Sequence, residues 1–251
     1  MKFPDRFYPN LFYVVLVLFL LSFVAFNPGY FSKVKSTLPW FMHGHYILMV
    51  AWMGMFIIQP WLIKTERFRL HRKIGKISYG LGPLVLISIF LMLRHGYASD
   101  LEALRREIEE GAVVMTDEAA VHLVRTHIAL GFFYFLVLLI FYPLAIINRK
   151  TPLVHARYMT AAALSMVGPI VDRALYVLLR IFHLPNKGIE YISFCLIDVL
   201  LISMLYHDYK TRHSPKVVLI CTSVFVLGQI VYSFFLDSSL WQNFVGFLLA
   251  S

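Results

Sequence analysis

Seven stretches of this chain, 9–27, 40–63, 74–95, 119–147, 156–182, 189–207 and 217–236, are each apolar over a length close to the roughly 20 residues that a helix needs to cross a bilayer core. In lipid each backbone N–H and C=O must find its partner inside the membrane, so such runs fold as helices. Composition agrees: 59% of the residues are apolar and 15% charged, with a mean hydropathy of +0.71, too few charges to cover a soluble surface of this size. The chain is therefore expected to be an all-α polytopic membrane protein, with residues 1–251 as a single integral membrane domain. The first run follows Lys2 and Arg6 as a secretion signal would. It leads instead into Asn27-Pro28-Gly29 without a small-x-small cleavage site, and reads as a span.

Orientation follows from the basic residues between the runs. Lys64, Arg67, Arg69, Arg72, Lys73 and Lys76 fall in one connection, Arg149, Lys150 and Arg157 in a second, and Lys210, Arg212 and Lys216 in a third. All three connections lie on one side, which the positive-inside rule makes cytoplasmic. The reading is an inner-membrane-type protein with its N-terminus in the cytoplasm and its C-terminus outside. The net charge of +9 then reflects topology and contact with anionic headgroups, not a nucleic-acid footprint.

The opposite side is acidic. Its longest connection, 97–118, carries Asp100, Glu102, Glu107, Glu109, Glu110, Asp117 and Glu118 against Arg105 and Arg106. Ser99 and Glu102 have capping-box spacing and Leu101, Leu104 and Ile108 share a face, which predicts a separate amphipathic helix on the membrane surface ending at Gly111. Thr116 is the expected N-cap of the fourth span, with Asp117 and Glu118 complementing its dipole. The tail from Leu240 to Ser251 is too short to span, and Trp241 suits it to the outer interface. Cys195 and Cys221 lie in successive runs at opposite depths and are expected as buried thiols rather than a disulfide.

The chain also repeats itself. His43, Pro60, Lys64 and His71 recur as His127, Pro143, Asn148 and His155; both intervals between the histidines are 28 residues. This divides the chain into two helical hairpins, 40–95 and 119–182, expected to form a four-helix core. His43 and His127 each stand 21 residues before the cytoplasmic end of their helices, about 30 Å away at helical rise, so both lie near the outer edge. His71 and His155 open the descending helices near the cytoplasmic edge. The four histidines thus sort into an outer pair and an inner pair.

Two imidazoles facing one another across a bundle suit the axial ligation of haem iron, whereas zinc wants a third and fourth ligand. In helix order and histidine placement, residues 40–182 resemble the cytochrome b-561 family. That resemblance implies a four-helix core in which His43 with His127, and His71 with His155, would each ligate a haem b. The segment from Arg69 to Lys76 is also similar to the His-Arg-x-x-Gly-Arg motif of an uncharacterised bacterial multi-spanning family, which implies no activity. For an outer haem, Arg94, Arg125 and Arg173 are candidate propionate partners.

Other ionisable groups inside the runs are functional candidates by default: Asp172, Asp198, and an outer gathering that includes His95, His122, Arg180 and His183. His45 competes with His43, since two residues apart on a helix they face nearly opposite ways. The leading expectation is a transmembrane b-type cytochrome passing electrons between a small donor or quinone and an acceptor. A non-redox transporter or ligand sensor using the outer His/Arg/Asp cluster is the alternative, beside packing and headgroup roles for the same residues. A zinc-dependent membrane hydrolase would need three ligands at one depth, drawn from His43, His95, His122, His127 and Asp172. A retinal pump is disfavoured because the last run contains no lysine.

Overall fold

The computed structural model describes residues 7–35, 38–182 and 188–249; Lys2, Arg6 and His183 lie outside these. Short α1 (Phe7–Asn10) and α2 (Phe12–Ala25) form the first span, α3 (Trp40–Lys64) the second and α5 (Ser78–Glu109) the third. Between the last two lies α4 (Phe68–Gly75). The fourth span is α6 (Asp117–His127) with α7 (Ala129–Ile147), and the fifth is α8 (Pro152–Leu164) with α9 (Val167–Ile181). α10 (Ile189–Lys210) and α11 (Lys216–Phe234) complete seven spans, and α12 (Ser239–Leu249) follows.

The spans match the seven apolar runs, with three differences of physical interest. The helix at 97–109 is not a separate surface helix. α5 continues through it without a break, so Ser99 is a mid-helix residue rather than a cap. Leu101, Leu104 and Ile108 keep the helix covered there by packing with Tyr97, Ala120 and Val124, which removes any reason for the chain to turn. Gly111 ends the excursion at φ +72°, a conformation glycine adopts freely. The second difference is a break in the fifth span at Ser165–Met166. Pro169 has no N–H to offer the Ser165 carbonyl, so the hydrogen-bond ladder lapses there. The fourth span also breaks, at Ile128, just after Thr126 donates its hydroxyl back to the His122 carbonyl, a contact that bends helices.

The two hairpins lie side by side, α3 on α5 and α7 on α8, with α5 against α7. The ring is closed by the first span, which packs on both α3 and α9. The last two spans lean on the fourth and fifth. The interior is dense: Trp52 of α3 meets Tyr142 of α7 edge-on at 5.1 Å, and a Cβ at Gly168 would clash with the hydroxyl-bearing edge of Tyr134. α12 packs against α6, where the Trp241 indole donates to the Arg125 carbonyl at 3.1 Å. Thr116 caps α6 by accepting the Ala119 N–H, as its position predicts. Cys195 and Cys221 are both free thiols; Cys221 is buried as expected, whereas Cys195, expected to be buried, is exposed on the outer surface of α10.

Candidate functional site

The three basic connections gather at one end of the bundle. α4 turns its charges outward there: Arg69, Arg72 and Lys73 are exposed, while Phe68, His71 and Ile74 face in. Across from it, Pro152 starts α8 in the position where its missing N–H costs nothing, and His155 follows one turn later. The two histidine rings meet with centroids 6.4 Å apart and planes at 79°.

Each ring is fixed through its Nδ1 atom, by a different device. α7 ends at Ile147, leaving its last carbonyls without helical partners. The His155 Nδ1–H donates to one of them, Ala145, at 2.8 Å. In the first hairpin the corresponding carbonyls are already used: Thr65, Arg67 and Glu66 donate to Trp61, Leu62 and Ile63 as Glu66 turns the chain at φ 60°. A side chain therefore does the work for His71. The Gln59 amide nitrogen donates to the His71 carbonyl at 3.1 Å and to its Nδ1, while its oxygen accepts the Gly75 N–H at 3.0 Å. Tyr142, whose hydroxyl donates to the Ser78 carbonyl at 2.5 Å, ties α7 to α5 beside them.

The consequence is chemical. His155 keeps a bare Nε2 lone pair, because its proton is held on Nδ1. His71, which accepts at Nδ1 from the Gln59 amide, carries its proton on Nε2 in this arrangement and must shift it to offer that nitrogen to a metal. Burial pushes the His71 imidazole down to about 4, with neighbouring His155 and then Arg72 adding to the effect. Neutral imidazoles with the distal nitrogen tied to a carbonyl or amide are the form in which histidine binds metal. Two imidazoles on opposite sides of one ion, with metal–nitrogen bonds of about 2 Å, have ring centres about 6 Å apart.

At the acidic end the structure does not bring His43 and His127 together. His43 Nδ1 lies 2.9 Å from the Tyr30 hydroxyl, and Tyr30 stacks on Tyr46 at 3.6 Å. His127 is 80% exposed and lies 3.9 Å from Asp100. His45 is the one that faces the third span: its Nδ1 is 3.1 Å from Ser88, whose own proton goes to the Val85 carbonyl, so His45 is the donor. The remaining expected residues are dispersed. Arg94 is exposed on α5, Arg125 lies beneath α12 against Gly246, and Arg173 stacks on Phe26 at 5.4 Å. Asp172 accepts from Ser193, and Asp198 accepts from Gln229 at 3.0 Å. His95 abuts Phe41, and His122 lies 3.6 Å from Asp237. Among the described residues no three of His, Cys, Asp and Glu are grouped to hold a metal ion, so the hydrolase expectation finds no ligand set.

One buried network escaped the sequence reading. Arg157, expected as a loop cation, is 4% exposed, and its Nη2 donates to Asp208 at 2.8 Å. Tyr8 donates to the same carboxylate oxygen at 2.9 Å and accepts from Arg157 Nε at 3.2 Å. This clamps the first, fifth and sixth spans at the basic end. The signal was available: an acid closing an apolar run on the strongly basic side needs a partner.

Fold and site together define an integral membrane protein with seven spans among the described residues and a paired-imidazole site at its basic end. Comparison with known proteins takes the assignment no further: no family model matches the chain, and neither a curated protein nor a solved structure matches it.

Proposed function

We propose that the protein is a transmembrane b-type cytochrome, with His71 and His155 as the axial ligands of one haem b, passing electrons between a small donor or quinone and an acceptor. The observation that carries the reading is the inner pair itself: two neutral imidazoles at 6.4 Å, each oriented through Nδ1. Haem bound there supplies reversible one-electron chemistry. The chain's own part is to hold the ligand nitrogens. Ala145 fixes the tautomer and plane of His155, and Gln59 fixes the plane of His71. With the basic end in the cytoplasm of a bacterial inner membrane, the N-terminus is cytoplasmic, the C-terminus outside and the haem on the cytoplasmic side.

Protein purified from haem-replete cells is expected to show a Soret band that shifts on dithionite reduction and is absent from His155→Ala. Colourless wild-type protein would overturn the reading. It would favour a transporter or ligand sensor, for which the supporting observation is an arginine-lined cleft at the acidic end.

A further inference from the structure

That cleft lies between the first, second and fifth spans and has a volume of about 580 Å³. Phe26, Tyr46, Tyr176 and Val177 form its walls, and Arg173 and Arg180 enter it from α9. The two arginines are seven residues apart, so they share one face of the helix two turns apart. Arg173 gives one N–H to the Pro169 carbonyl at 3.0 Å and rests on Phe26; its other donors, and those of Arg180, have no protein acceptor among the described residues. Neither has a carboxylate within ion-pair distance among those residues: Asp172, next to Arg173, is engaged by Ser193. Two guanidinium groups therefore face one cleft with most of their donors unused.

Depth and surroundings narrow the ligand. Arg173 is 18 residues beyond His155, about 27 Å along the span, and Arg180 lies two turns further, at headgroup level. The flanking surface of the first span is apolar: Phe23 and Val24 are exposed beside the cleft's opening. A soluble anion would have no use for that apolar exit, and a neutral quinone ring would leave both charges uncompensated. We propose that this cleft binds an anionic phospholipid from the leaflet at the acidic end, its phosphodiester between Arg173 and Arg180 and its acyl chains leaving between the first and fifth spans. The inference does not depend on haem.

Native mass spectrometry of the delipidated, detergent-solubilised full chain tests it, with phosphatidylglycerol, phosphatidylcholine and inorganic phosphate as probes. Wild-type protein is expected to retain phosphatidylglycerol in preference to phosphatidylcholine. The Arg173→Gln/Arg180→Gln variant should bind it about 30-fold more weakly, each cation near an anionic lipid contributing about fivefold. Val177→Trp, which fills the cleft and keeps both charges, should also lose the adduct while remaining monodisperse. Equal retention of the two lipids, undiminished binding in the double arginine variant, or displacement of the lipid by millimolar inorganic phosphate would each overturn the proposal.

Discussion

His71 and His155 at the basic end, and His43 and His127 at the acidic end, have the same spacing along the chain, yet only the first two meet in space. The difference lies in what the helix ends offer. At the basic end α7 stops with an unused carbonyl, and Gln59 replaces the carbonyls that the turn after α3 consumes, so both rings are held inward. At the acidic end Tyr30 takes His43, while the break at Ile128 leaves His127 on the outside of the bundle. The ion pairs follow the same division. Arg157 with Asp208 is buried, whereas Arg105 with Asp117, though bidentate at 2.6 and 2.9 Å, is exposed. Equal sequence spacing fixes equal depth; facing direction depends on local hydrogen bonds.

The largest expected effect of breaking this contrast is at Asp208. Asp208→Ala strands a buried guanidinium and should cost about 3–5 kcal/mol, read as a steep fall in the thermal denaturation midpoint in detergent. Gln59→Leu comes next. It frees the His71 ring without removing the proposed ligand, and on the proposed reading haem affinity should fall roughly 10- to 100-fold by titration while the protein remains folded. A milder effect follows from pH. His71 in haem-free protein has its pKa held down to about 4 by burial, against about 6.5 in an unfolded chain. Its contribution to stability is complete above pH 6.5 and declines as pH falls toward 4, because the unfolded chain takes up the proton first. Denaturation midpoints should drop over that window, and less so in His71→Leu. Smallest of all, Arg105→Gln should leave the midpoint unchanged, since exposed ion pairs contribute little.

Much of the architecture was legible from the chain because lipid imposes a one-dimensional rule: apolar length and the placement of Lys and Arg are enough to count spans and order their ends. Thr116 and Gly111 were legible for similarly local reasons. The continuous α5 was not, because its last turns are held by packing with α6 that no local signal announces. For the site, depth was readable and direction was not. The His71–His155 pairing followed from counting residues, but so did the His43–His127 pairing that the structure does not make. Gln59 carries no sequence signal of its own, because its reach to His71 depends on how the chain turns after Lys64. Arg157 has the sequence signature of a topological charge, and only the fold brings Asp208 opposite it.

The most direct test of the account is the haem-to-protein ratio of the purified chain and its four single variants His43→Ala, His127→Ala, His71→Ala and His155→Ala, measured as the pyridine haemochromogen. One haem per wild-type chain is expected, kept in the two acidic-end variants and lost in the two basic-end variants. Loss in His43→Ala or His127→Ala with retention in His71→Ala and His155→Ala would contradict it.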